Sequence, residues 1–219
     1  KFYRKNSADL RYSVEDIPED ILDDCGMIHF CSVDLVESPM KEAHKKLIDM
    51  AIEKGVKVSF DPNLRFSLWD DLDALKKTVN DFIPYADIVK ISDEELEFIT
   101  GKTDIKDAVP EILGGRTKYV IYTKGADGAE IYTKDGMAEA PGYSIEVRDT
   151  TGAGDSFIGA FLFCILRDEV EDLDSVSKDK LYEYLDFSNA YAANTSTKEG
   201  ALAAMATMDE IEKWIADRK

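Results

Sequence analysis

Asp149 to Leu162 reads DTTGAGDSFIGAFL, a segment in which a strand-like stretch ends, two glycines intervene and an apolar helix begins. Such a junction gathers unbonded backbone N–H groups and the positive end of a helix dipole at one point, which suits an anion. Gly152 and Gly154 let the backbone approach a bound group with no Cβ in the way. Asp155 is the unusual member, because a carboxylate beside an anion site repels a phosphate unless it has a task. Spacing alone leaves two readings open, a helix cap and a catalytic base.

Other chemistries that use a glycine cluster fail on residue type. A Walker loop needs GxxxxGK[ST]; Lys102 and Thr103 follow Gly101 without the earlier glycine, and the dinucleotide pattern GxGxxG meets Phe157 at its third glycine. A nucleophilic Ser156 would need a histidine base, and the two histidines, His29 and His44, lie far upstream. Cys25, Cys31 and Cys164 lack CxxC spacing, so a zinc site is not expected and reduced cytoplasmic thiols are.

Three further positions carry both an ordinary reading and a functional one. Arg65, in FDPNLRFSLW, is a lone cation after a strand, where open α/β sheets place ligand contacts; it also reads as a surface arginine. Glu95 completes a capping box with Ser92. Thr123 and Gly125, in YTKG, read as a turn that ends a strand.

These residues need a scaffold, and hydrophobic periodicity supplies one. Strands are expected at Gly26–Val33, Val56–Phe60, Asp87–Ile91, Tyr119–Thr123, Ala129–Tyr132, Met137–Ala140 and Ile145–Val147. Helices are expected over 39–54, around 72–82, over 92–100 ending at Gly101, and near 105–113. From Gly152 onward the chain reads as mostly helical, with Ile158, Phe161, Leu162, Ile165 and Leu166 on one face of the first helix. The acidic stretch from Arg167 to Asp179 reads as a solvated connection. Alternating strand and helix, followed by short strands, points to an α/β sandwich with a parallel sheet and an antiparallel patch.

Composition narrows the partners. The chain has 219 residues, 44% of them hydrophobic, and 27 Lys plus Arg against 45 Asp plus Glu for a formal charge of -18. A uniformly basic nucleic-acid surface is thereby excluded. The longest apolar stretch, Phe157 to Leu166, contains Gly159 and is about half a membrane span. No membrane anchor is expected, and Lys1–Asp9 has no apolar core of a secretory signal.

The segment DTTGAGDSFIGAFL resembles the C-terminal signature of the ribokinase-like (PfkB) family of carbohydrate kinases. FDPNLRFSLW, IHFCSVDLVESPM, VKISDEELEFITG and FSNAYAANTSTKEGA resemble its fructokinase branch. Residues 1–219 align with the C-terminal two thirds of such a kinase, 1–14 as a remnant of the lid region and 15–219 as the ATP-binding and catalytic core. The resemblance implies a three-layer α/β/α sandwich lacking its N-terminal strands and most of its β-lid. The implied reaction is ATP-dependent phosphorylation of a sugar hydroxyl, with fructose to fructose 6-phosphate as the leading case.

By the same resemblance, Asp155 is the catalytic base, and the amides of Gly152, Ala153 and Gly154 form the anion hole for the transferring phosphoryl group. Thr123 and Gly125 contact nucleotide phosphates, and Asn189 with the Thr195–Ala201 loop lines the adenine pocket. Glu95 holds Mg2+ through water, although Ser92 stands where asparagine is usual, and Asp149 with Thr151 forms a K+ site. Arg65 and Arg4 contact the sugar. A homodimer through the lid is implied for the whole kinase, and the missing N-terminal third leads us to expect poor turnover by this segment alone. Two alternatives remain: a 2-keto-3-deoxygluconate kinase, which shares DPNxR, and a non-catalytic nucleotide- or sugar-binding module.

Overall fold

The computed structural model describes residues 7–218 and separates into two compact units, Lys1–Val120 and Ile121–Lys219. In the first, β1 (Met27–Cys31), β2 (Lys57–Asp61) and β3 (Ile88–Ser92) pair in parallel, with Phe30 opposite Phe60 and Phe60 opposite Val89. Crossovers between them contain α1 (Pro39–Glu53) and α2 (Leu72–Phe82), and α3 (Asp93–Thr100) and α4 (Ile105–Ile112) follow. Four consecutive residues of β2, Val58 to Asp61, and four of β3, Ile88 to Ile91, are buried. Neighbouring strand residues point to opposite faces, so both faces of these strands are covered, as a parallel sheet requires.

Phe30 stacks on Phe60 at 4.5 Å between ring centroids, and Phe82 of α2 meets Phe30 edge-on at 6.0 Å. Ile48 and Ala51 of α1 and Leu75 and Val79 of α2 are almost completely buried, the helical spacing seen in the sequence. Gly101 takes φ +73°, a left-handed closure of α3 that glycine adopts without steric cost.

The division between units falls within β4 (Tyr119–Thr123). In the second unit β5 (Ala129–Thr133) and β6 (Gly136–Ala140) form an antiparallel hairpin, followed by α5 (Ala153–Arg167), α6 (Lys178–Ser196) and α7 (Met208–Ala216). The turn at 125–128 crosses directly over the exit from β6. A Cβ on Gly128 would lie 2.2 Å from the Ala140 carbonyl, and one on Gly142 would lie 2.0 Å from the Ala126 carbonyl. Both positions therefore exclude a side chain.

Several expectations need correction. Ile145–Val147 forms no strand. The chain leaves β6 through Pro141, which has no N–H to continue a ladder, and Arg148 and Asp149 instead donate to the Ser196 carbonyl at 2.9 and 3.3 Å. Val147 is 55% exposed, so burial does not favour pairing there. Leu166 is exposed rather than part of the buried face of α5, while Phe157, Ala160 and Cys164 join that face. Thr195 and Ser196 belong to α6, so the late loop starts at Thr197. Of the stretch 1–14, expected as a lid remnant, residues 1–6 lie outside the described residues and 7–14 contain short 3-10 turns, which leaves that expectation untested. No helix of the described residues is long and apolar enough to cross a membrane.

Candidate active site

In the second unit, the glycine turn opens α5 without a side-chain cap. Gly152 occupies the N-cap with φ +79°, and the N-cap makes no side-chain hydrogen bond. Asp155 is therefore not the cap; it sits in the first turn of the helix and is exposed. A carboxylate there also interacts favourably with the helix dipole.

The amide accounting of this turn amends one expectation. The Ala153 N–H donates to the Thr150 carbonyl at 3.1 Å, closing the turn, and is not available to an anion. The Gly152 and Gly154 amides have no acceptor among the described residues. Farther into the helix, the Ser156 N–H bonds the Gly152 carbonyl at 2.8 Å, and the Ser156 hydroxyl donates to the Ala153 carbonyl at 3.0 Å. Ser156 is buried and committed to the helix, which removes it as a nucleophile. Two amides of the three thus match an anion site, beside an exposed carboxylate.

Asp149 secures the turn to the late loop. Its Oδ1 accepts the Thr151 amide at 2.9 Å and its Oδ2 accepts the Gly200 amide at 3.0 Å. Thr151, through side-chain and backbone hydrogen bonds, and then the Gly200 amide hold this carboxyl below the usual carboxylate range. The approach is close: a Cβ on Gly152 would meet Ala201 Cβ at 3.3 Å. The residues expected at a K+ site, Asp149 and Thr151, are therefore brought together with the 197–201 loop, and both carboxylate oxygens of Asp149 already accept amides.

Asn189 is 7% exposed, and its amide donates to the Ala140 and Pro141 carbonyls at 3.0 and 3.1 Å. Both donors are spent on the end of β6, so its NH2 group is not free to read a base. Thr123 ends β4 half-buried, and Gly125 opens the following turn with φ +53°. Lys124 between them is held by Glu130 and Glu139, each at 2.7 Å.

In the first unit, the DPNLR segment forms a tightly bonded loop after β2. Asp61 is 2% exposed and pairs with Lys90 Nζ at 3.0 Å. Its Oδ1 accepts the Asn63 amide at 3.1 Å, an Asx turn that carries Asn63 into the left-handed region at φ +45°. Glu95 Oε1 accepts the Leu64 amide at 2.7 Å, while Oε2 accepts the Ser92 amide and hydroxyl at 3.0 and 2.7 Å. The capping box expected from sequence is present, and Glu95 uses its second oxygen to hold the loop.

Arg65 emerges from that loop half-buried. Its Nη1 donates to the Leu64 carbonyl at 3.0 Å, and no carboxylate among the described residues pairs with it. Arg4 lies outside the described residues. Among the described residues no cluster of three His, Cys, Asp or Glu could hold a metal ion. The donor set does fit a nucleotide phosphate, because two backbone amides at a helix N-terminus have no acceptor among the described residues.

Sequence reasoning missed the Asp61–Lys90 pair. The signal was present: a lysine inside the apolar run DIVKI is a buried cation that must find a partner. It also missed the Asp149–Gly200 bond, which joins residues far apart in sequence.

A family model described as "pfkB family carbohydrate kinase" matches residues 1–208. The chain is 36% identical over 220 residues to "Probable fructokinase-5" of Arabidopsis thaliana, covering 99% of this chain and 66% of that protein. The chain thus spans just under two thirds of the length of such curated relatives. Among solved structures, fructokinase with bound ATP from Xylella fastidiosa superposes with a TM-score of 0.88 at 27% identity, covering 100% of this chain and 70% of that one. Fructokinase from Vibrio cholerae O395, in a form with bound fructose, ADP and calcium ion, gives 0.84 at 31% identity over 96% of this chain and 66% of that one.

Proposed function

The chain belongs to the pfkB family of carbohydrate kinases, and on that premise we propose that it supplies the catalytic and nucleotide-binding part of an ATP-dependent fructokinase. The observation that carries the reading is the turn at 149–155, where an exposed Asp155 stands beside two unspent amides on a glycine-capped helix. A module that only bound a nucleotide would gain nothing from that carboxylate. The fructokinases among its relatives, and the fructose and nucleotides bound in their solved structures, favour fructose as acceptor.

Bound ATP supplies the γ-phosphoryl group, and a divalent cation such as Mg2+ offsets the charge on its phosphates. Asp155 orients the acceptor hydroxyl by accepting its hydrogen bond. An alcohol is far less acidic than a carboxylic acid, so the proton reaches the Asp155 carboxylate late, as the new O–P bond forms and the bond from the γ-phosphorus to the departing ADP breaks. The Gly152 and Gly154 amides donate to phosphoryl oxygens in place of the three donors expected from the sequence. Thr123 and Gly125 line the phosphate side, and the 197–201 loop borders the base. Arg65 meets the sugar from the DPNLR loop. A K+ ion beside Asp149 and Thr151 would stiffen the turn, which comparing activity in potassium and sodium salts would reveal. Cytoplasmic residence and a lid-mediated homodimer accompany this reading.

A sugar panel with ATP and magnesium, using the longest open reading frame that encodes the chain, tests the proposal. Preferential phosphorylation of fructose to fructose 6-phosphate is expected. A preference for 2-keto-3-deoxygluconate would move the assignment to that kinase, and ATP binding without transfer to any sugar would leave only a binding module.

A further inference from the structure

Among the described residues Lys90 is the only buried lysine, and there is no buried arginine. It lies within β3 and pairs with Asp61, where β2 ends and the DPNLR loop begins. The pair is 7% and 3% exposed at its side chains, so each charge depends on the other. We propose that Lys90 is a positioning residue for the acceptor side of the site: by neutralising Asp61 it sets the 61–65 loop and, through it, the direction of Arg65. The inference rests on the sugar-kinase reading and assigns work within it to a residue that reading leaves unused.

Asp61 Oδ1 accepts both Lys90 Nζ at 3.2 Å and the Asn63 amide at 3.1 Å. The same oxygen that answers the buried charge therefore builds the turn. Asn63 stands at φ +45°, a conformation that an asparagine tolerates only with local hydrogen bonds to hold it. The Pro62 carbonyl accepts the Ser32 amide at 3.0 Å, and Glu95 holds the Leu64 amide. Arg65 is the next residue. Without Lys90, the buried Asp61 loses its cationic partner, and the resulting change in its charge or position weakens the acceptor that bends the chain at Asn63. The backbone of β2 would remain, because its ladder to β1 runs independently through Met27–Cys31.

Lys90→Met, Asp61→Asn and the double variant, each made in the longest open reading frame, test the proposal by two readouts. Hydrogen exchange needs no activity: amides of 61–65 should exchange about tenfold faster in Lys90→Met, with β1 and β2 unchanged. In steady-state kinetics the acceptor KM should rise about tenfold while the ATP KM stays within about twofold. The double variant should be no worse than Lys90→Met, since the two residues act as a unit. Asp61→Asn keeps an acceptor for the Asn63 amide, so it answers the question if Lys90→Met does not fold. Unchanged exchange in the loop, additive effects, or equal changes in both KM values would overturn the assignment. If the parent protein phosphorylates no sugar, the kinase reading fails, and the exchange data still decide whether Lys90 sets the loop.

Discussion

The turn at 149–155 and the loop at 61–65 both carry candidate chemistry, and they are held in opposite ways. In the turn, two backbone amides have no acceptor among the described residues, Asp155 is exposed, and a glycine in the left-handed region replaces a side-chain cap. In the loop, hydrogen bonds to Asp61 and Glu95 and from Ser32 occupy the backbone from Pro62 to Leu64, and a buried ion pair lies beneath it. On the proposed reading, the difference follows from what each would hold. A phosphate is recognised by N–H groups whose hydrogen bonds are unspent, so capping them would remove the site. A long, flexible arginine is aimed only if the backbone beneath it is fixed, so there the hydrogen bonds are used up.

The largest break in this contrast should come from Asp155→Asn. Turnover is expected to fall about a hundredfold to ten-thousandfold, in the range for a lost acid–base group, with ATP affinity nearly unchanged. Turnover close to the parent's would remove Asp155 from the base role. Gly152→Ala acts on the backbone of the same turn. A Cβ there meets Ala201 at 3.3 Å on a residue at φ +79°, so strain should cost about 1–2 kcal/mol, seen as a lower Tm and weaker ATP binding.

Glu95→Gln probes the loop instead. It weakens the acceptor for the Leu64 and Ser92 amides, and the expected result is a stability loss of about 1–2 kcal/mol with a severalfold higher acceptor KM. If added magnesium restores activity to this variant, Glu95 serves the metal more than the loop, and the two regions differ less.

The smallest effect concerns pH and lies outside both regions. Arg167 first, then Lys180 and Tyr184, hold the Asp168 carboxyl well below the usual carboxylate range. Its folded pKa lies below its unfolded one, so its contribution is complete above about pH 4 and is lost as pH falls further. Tyr184 moves the other way: burial, then its bond to Asp168, push its hydroxyl up to about 12. That contribution is complete below about pH 10 and is lost as pH rises through the folded value. A Tm profile that is flat from about pH 5 to 9 and falls on both sides is expected, with Asp168→Asn softening both limbs. A loss centred near neutrality would place the controlling groups elsewhere.

The legible parts of the molecule were those governed by neighbours in sequence. The apolar spacing of α1 and α2, the strand at Tyr119–Thr123 and the Ser92–Glu95 box all stand where periodicity and capping rules put them. The segment 145–147 failed because β-forming residues make a strand only when another backbone is there to pair with them, and here the chain's next bonds go to the Ser196 carbonyl. Leu166 failed for a related reason: periodicity marks a stripe, and the width of that stripe depends on what packs against it.

Sequence alone determined the α/β class, the glycine turn with its aspartate and the resemblance to a sugar kinase, because each depends on residue type at short spacing. Only the tertiary structure decided which polar groups remain available. It spent the Ala153 amide on Thr150, the Asn189 amide on β6, and both oxygens of Glu95 on backbone donors, while leaving the Gly152 and Gly154 amides open. Availability is settled by which distant backbone arrives within hydrogen-bond distance, and that is fixed only when the chain packs.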